Sequence, residues 1–243
     1  MNRTLAILAA AALAGCAGPT TSDIAITDRS TFIAAGRLSV DIAPRVEAPS
    51  VPHTGHGIEV GFSGGSGEDR QSLGSGARPV VFGGRTFSAP VELRHELDFR
   101  FAELAYRYRR FFGAGGELGI EALGGLAYAE LDLAVASATQ RASDKLGSGG
   151  LLGGFGIVWK FLPATSLQSR ITVFGSGENE GVTGAARWDL YVAQALGRHA
   201  ALRAGFAGWG LSSEREASDD FGSFNSRIRA RFSGLSLGLD VMF

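Results

Sequence analysis

The chain has 243 residues, 36 of them glycine, and its 23 basic and 24 acidic residues leave a formal net charge of −1. That balance offers no electrostatic footprint for nucleic acid, and a single cysteine excludes an internal disulfide. The longest apolar run, Leu5 to Ala14, falls short of the ~20 residues a membrane-spanning helix needs.

Residues 1–15 read as a leader. Asn2-Arg3-Thr4 is a short basic stretch, Leu5 to Ala12 is apolar, and Leu13-Ala14-Gly15-Cys16 follows. This resembles a lipoprotein signal peptide, which implies lipidation of Cys16 and a mature chain beginning there. An ordinary export signal cleaved near Ala14 or Ala17 is the alternative. Neither is part of the fold. Residues 16–55 carry Pro19, Pro44, Pro49 and Pro52, a composition suited to an extended periplasmic tether. Within it, Phe32 to Ile42 alternates at Leu38, Val40 and Ile42, so it could pair as an extra strand or plug a lumen. His53 and His56 sit in a Gly-containing turn; without a third ligand they do not make a metal site.

Eight strand-like segments follow in residues 56–243. In each, apolar side chains alternate with small or charged ones, the period of a strand with one face apolar. The first has Ile58, Val60 and Phe62 outward and Glu59 inward. The second places Leu97, Phe99 and Phe101 outward and Glu96, Asp98 and Arg100 inward. After Phe101 the phase moves to Leu104, Tyr106 and Tyr108, which predicts a bulge or a strand end. The third is marked by Leu118, Ile120, Ala122, Leu126 and Tyr128, opposite Glu121. The fourth runs through Leu151, Phe155, Ile157, Trp159 and Phe161, with Lys160 opposite. The fifth to seventh are centred on Ile171, Leu190 and Ala204, with Arg170, Arg187, Asp189 and Arg203 on the opposite face. The eighth ends the chain with Leu235, Leu237, Leu239, Val241 and Phe243 opposite Ser236, Gly238 and Asp240.

Predicted connections alternate in length. Long ones cover roughly 65–92, 134–148, 175–184 and 212–226; short ones lie near 112–116, 163–166 and 197–200. The inward set, Glu59, Glu96, Asp98, Arg100, Glu121, Lys160, Arg170, Arg187, Asp189, Arg203 and Asp240, is close to neutral. An eight-stranded ring is only wide enough to be filled by side chains, so these charges predict an internal salt-bridge plug, with glycines making room. Aromatics fall at two levels, Tyr106, Tyr108, Trp159, Phe161 and Phe243 toward the short turns, and Phe62, Tyr128, Trp188 and Trp209 toward the long loops.

With its terminal Phe243, the Tyr106-Arg107-Tyr108 segment and the Gly-rich strands, this pattern resembles the small OmpA/OmpX-type outer-membrane barrels over about residues 56–243. The resemblance implies an all-β fold, an eight-stranded antiparallel up-and-down transmembrane β-barrel. Both termini would be periplasmic and the long loops extracellular. It also implies a monomer in contact with outer-membrane lipid and lipopolysaccharide, delivered by the barrel assembly machinery, with no cofactor. The lipobox departs from that family, so a lipid-anchored soluble barrel binding a lipid or lipoprotein stays open. Function then divides between a non-catalytic surface barrel, in envelope integrity or adhesion, and a lipid A-modifying enzyme. The second needs a nucleophile, a base and an orienting acid. His95, near Glu92 and Glu96, lacks a neighbouring serine, and His199 lies in a short turn, so no catalytic residue is assigned. Above the membrane part of the last strand, Arg227, Arg229 and Arg231 continue the outward phase and are candidates for lipopolysaccharide phosphates.

Overall fold

The computed structural model describes residues 21–26, 32–42, 54–77, 79–113, 115–177, 181–197, 199–219 and 222–242. Cys16, His53 and Phe243, and with them the leader and its lipidation, lie outside the described residues.

Twelve strands and no helix account for the described fold. They are β1 (Thr21–Ile26), β2 (Phe32–Ile42), β3 (Gly55–Leu73), β4 (Val80–Phe82), β5 (Arg85–Phe87), β6 (Val91–Phe112), β7 (Leu118–Ala136), β8 (Arg141–Leu162), β9 (Thr165–Gly175), β10 (Gly181–Ala195), β11 (Ala200–Asp219) and β12 (Gly222–Met242). Strands β6 to β12 form an antiparallel up-and-down meander, and β3 pairs β6. The sheet does not end there, because β2 pairs β3 on one side and β12 on the other. Hydrogen bonding therefore passes around nine strands and returns to its start.

Four features differ from the sequence expectation, each for a physical reason. The ring has nine strands where eight were expected, because the stretch read as a tether supplies β2, and also β1 on the free edge of β12. Pro19, Pro44, Pro49 and Pro52 flank these strands without interrupting them. Second, β1 and β2 both run parallel to β12. An odd number of strands puts Thr21 and Met242 at opposite ends of the sheet, whereas an even number would have put both chain ends on one side. Third, three of the four long connections are strand. β7 and β8 pair out to Ala136 and Arg141, β9 and β10 leave only residues 176–180 between them, and β11 and β12 pair out to Asp219 and Gly222. Gly and Ser lower strand propensity but do not veto a ladder whose neighbours supply the hydrogen bonds. Only residues 74–90 make a long connection, and it carries the β4–β5 hairpin.

The fourth difference is the register of β6. No bulge follows Phe101: the ladders to β3 and β7 run unbroken from Arg94 to Arg109. Glu96, Asp98 and Arg100 therefore face outward, and Leu97, Phe99 and Phe101 face inward. The apparent change of phase is a change of chemistry along one unbroken strand.

Candidate functional site

That change divides the ring into two storeys. The lower storey, toward the turns at 113–117 and 163–164, has a charged interior and an apolar exterior. Its outward positions include Val60, Phe62, Leu104, Tyr106, Leu126, Phe155, Ile157, Ile171, Phe206 and Leu237, all more than half exposed except Ile157, at 49%. On β8 the belt runs from Leu151 to Phe161, about 33 Å along the strand at ~3.3 Å per residue. Trp159 and Phe161 stand at its lower margin and Tyr128 and Trp188 at its upper one, the two levels read from sequence. Trp209, expected in the upper set, is buried instead, because its odd position on β11 points inward beside Arg203 and Ala207.

Inside the lower storey six arginines, Arg37, Arg107, Arg109, Arg170, Arg187 and Arg203, meet six carboxylates, Asp41, Glu59, Glu103, Glu121, Asp189 and Asp240, all buried. Glu59 is the hub. It bonds Arg170 and Arg107, the latter at 3.1 Å, and also pairs with Arg37 Nε at 3.0 Å and Arg203 Nη1 at 3.7 Å. Glu121 accepts from Arg109 at 2.6 and 3.0 Å and from Arg170 Nε at 2.7 Å. Asp189 joins Arg187 at 2.8 Å and Arg37 at 3.2 Å, and Asp240 joins Arg203 at 2.7 Å. Ser39 accepts from Arg203 at 2.9 Å and Arg107 at 3.3 Å and donates to Asp240. The arginine fork suits such shared carboxylates better than lysine would, and all six of these buried cations are arginine. Glycine makes the room. A β-carbon at Gly57, Gly61 or Gly238 would run into Asp41, Glu103 or Arg203.

The structure thus brings together Glu59, Glu121, Arg170, Arg187, Asp189, Arg203 and Asp240 from the expected inward set. It excludes Glu96, Asp98 and Arg100, which β6 turns outward. Lys160 is at the lower mouth, its ammonium 3.9 Å from the Phe111 ring. Sequence reading missed Arg37, Ser39, Asp41, Glu103, Arg107 and Arg109. A signal existed in each case: Arg37, Ser39 and Asp41 alternate with Leu38 and Val40, and Glu103, Arg107 and Arg109 alternate with Leu104, Tyr106 and Tyr108.

The upper storey is lined the other way. Its interior is an apolar cluster around Leu97, Phe99, Phe101, Leu131, Phe174, Trp209 and Phe232, roofed by Phe82 and Phe87 of the β4–β5 hairpin. Phe101 and Trp209 meet edge to face at 4.7 Å, and the Arg187 guanidinium lies 5.0 Å from the Trp209 ring, where the two interiors touch. Its exterior is polar. Arg100 and Lys145 hold Glu130 at 3.2 and 2.9 Å, and Arg141 holds Glu96 at 2.7 Å. The Lys145 hydrogen bond, aided by the Lys145 and Arg100 charges, pulls the Glu130 carboxyl below its usual range. A groove beside the hairpin, between Pro90, Arg94, Ala136 and Arg141, has its charges matched by Glu92 and Glu96.

Arg229 and Arg231 are outward and exposed on β12, above Leu235, and the Arg227 side chain lies outside the described residues. His95 is buried and inward, its Nε2 3.2 Å from the Gln71 amide oxygen, while Glu92 and Glu96 are on the opposite face of β6. His56 Nδ1 meets the Tyr106 hydroxyl on the outer surface. Among the described residues no group of three His, Cys, Asp or Glu side chains could hold a metal ion, and no helix is long and apolar enough to cross a membrane. No protein-family model, curated protein or solved structure matches the chain.

Proposed function

We propose that the chain is a non-catalytic β-barrel of the bacterial outer membrane, closed around nine strands, whose upper storey projects beyond the bilayer and serves envelope integrity or surface binding. The supporting observation is the apolar belt over a charged interior. Soluble monomers rarely expose apolar patches beyond a few hundred Å², yet here large hydrophobics cover the outside of every strand of the lower storey. At a strand tilt of ~40°, 33 Å of β8 spans about 25 Å, the height of an outer-membrane apolar band. A bilayer offers no hydrogen bonds, which favours a strand arrangement in which each edge finds a partner.

The filled lower interior argues for a plug rather than a diffusion channel, and a large stable conductance in planar bilayers would refute that. His95 is turned away from Glu92 and Glu96, and its Nε2 is engaged by the Gln71 amide oxygen, which argues against the triad of a lipid A-modifying enzyme. Arg231, Arg229 and Arg227 follow at four, six and eight residues above Leu235 on β12, and the exposed Arg229 and Arg231 would offer outer-leaflet phosphates bidentate donors. Replacing all three by serine should abolish a preference for lipopolysaccharide-containing bilayers during refolding; a wild type with no such preference would remove the site.

The decisive test is electrophoretic. A closed barrel resists detergent until heated, so boiled and unboiled samples should migrate differently, and a Cys16→Ala variant should stay in the membrane fraction. Identical migration together with release of that variant would favour the lipid-anchored soluble protein.

A further inference from the structure

Strand direction bears on which side of the membrane the start of β1 faces. It rests on the membrane reading above. β12 descends from Gly222 at the rim to Met242 at the short-turn end, and β1 and β2 run parallel to it. The chain therefore enters beside Asn225, descends through β1 and β2 to Ile42 opposite His56, and only then starts the meander with β3.

The direction of β2 is fixed by side-chain chemistry independently of the backbone ladder. Along β6, Glu103 lies nearer the rim and Arg107 nearer the short turns. Arg37, earlier in β2, bonds Glu103 at 3.3 Å, and Asp41, later in β2, bonds Arg107. A reversed β2 would set Arg37 beside Arg107 and Asp41 beside Glu103, like charge against like in a buried interior. The ion-pair plug thus selects the descending strand, and the odd strand count follows from it.

We infer that Thr21, where β1 begins, stands on the external face with the β4–β5 hairpin and the turn at 137–140, on the opposite side from Met242. Thr21 pairs Asn225, and the belt on β12 begins at Leu235. Those ten residues rise about 25 Å at ~3.3 Å each and ~40° tilt. Thr21 therefore stands well clear of the hydrocarbon.

Two measurements on the full chain in Gram-negative cells test this. A short epitope inserted between Pro19 and Thr20 should bind antibody on intact cells, as should one after Ala138, while one after Ala164 should bind only after permeabilisation. An amino-terminal epitope that behaves like the Ala164 one overturns the inference and leaves the membrane reading standing. If the Ala138 and Ala164 epitopes behave alike, the membrane reading fails and the inference with it. The second measurement does not depend on retention of the epitope. Gly36 and Leu237 are direct partners in the parallel ladder and both face outward, and neighbouring strands at ~4.8 Å fall within disulfide reach. Gly36→Cys with Leu237→Cys should cross-link under mild oxidation. Failure to cross-link, in a barrel that still shows the heat shift, overturns the descending β2.

Discussion

The two storeys are built from the same strands and bury opposite chemistry. On β6 the inward side chains are Leu93, His95, Leu97, Phe99 and Phe101 above, then Glu103, Arg107 and Arg109 below, while the outward ones change from Arg94, Glu96, Asp98 and Arg100 to Leu104, Tyr106 and Tyr108. The upper storey obeys the rule for water, apolar inside and charged outside. The lower storey inverts it, and the inversion is stable only if something apolar covers the belt and every buried charge has a partner. A single strand can thus be matched to two solvents by a change of side-chain chemistry with no change of backbone.

The strongest way to break this comparison is to unbalance the lower interior. Glu59→Gln leaves Arg170, Arg107 and Arg37 sharing one carboxylate fewer. Breaking a buried ion pair by removing one partner costs roughly 3–5 kcal/mol. Urea titration of the barrel refolded in lipid vesicles should show that loss. A change below ~1 kcal/mol would mean the interior is hydrated enough to screen it.

A smaller effect comes from moving one charge between storeys on the outer face. Leu104→Arg puts a guanidinium in the upper part of the belt, level with Leu126 and Leu151, at a cost between the ~2–4 kcal/mol of the midplane and the ~0–1 kcal/mol of the interface. Arg100→Leu, four residues away on the same face, gives up only exposed contacts to Glu130 and should change stability by less than ~0.5 kcal/mol. Equal costs at the two sites would show that no solvent boundary lies between them. In a water-soluble protein Leu104→Arg would be nearly silent.

How much of this was legible follows from the same boundary. Strand alternation gave the apolar faces of β3 and β7 to β12 in the register found, because there most inward residues are small or charged where the outward ones are apolar, with Leu152, Val158 and Tyr191 as exceptions. It misled on β6, where Phe99, Phe101 and Leu104 are all apolar and only the burial of each reveals that the first two share one face and Leu104 the other. The same ambiguity put Trp209 on the outside. Loop lengths were misjudged because Gly, Ser and charged residues suit a solvated strand as well as a loop. β2 was visible as alternation, but its place in the ring depends on Arg37 and Asp41 finding Glu103 and Arg107, a pairing across more than 60 residues that no local pattern contains.

The smallest expected effect concerns His95, the one titratable side chain facing the apolar interior of the upper storey from β6. Its neighbours in the ladders are Asp69 on β3 and Val135 on β7. Burial lowers its affinity for a proton below the ordinary histidine value, and the Asp69 charge opposes this only in part. The unfolded chain takes up the proton near pH 6.5 and the folded one resists it. Stability is therefore complete above that pH and is lost as the pH falls through it, because the unfolded state then binds more protons. Amide protection factors, which correct for the slower intrinsic exchange in acid, should fall in the upper parts of β3, β6 and β7 between pH 7 and pH 5, while those of the lower storey hold. His95→Leu should remove the pH dependence without opening the storey. If wild type and variant respond to pH alike, the upper storey owes its acid response to its outer ion pairs, of which Lys145 with Glu130 is the first to test.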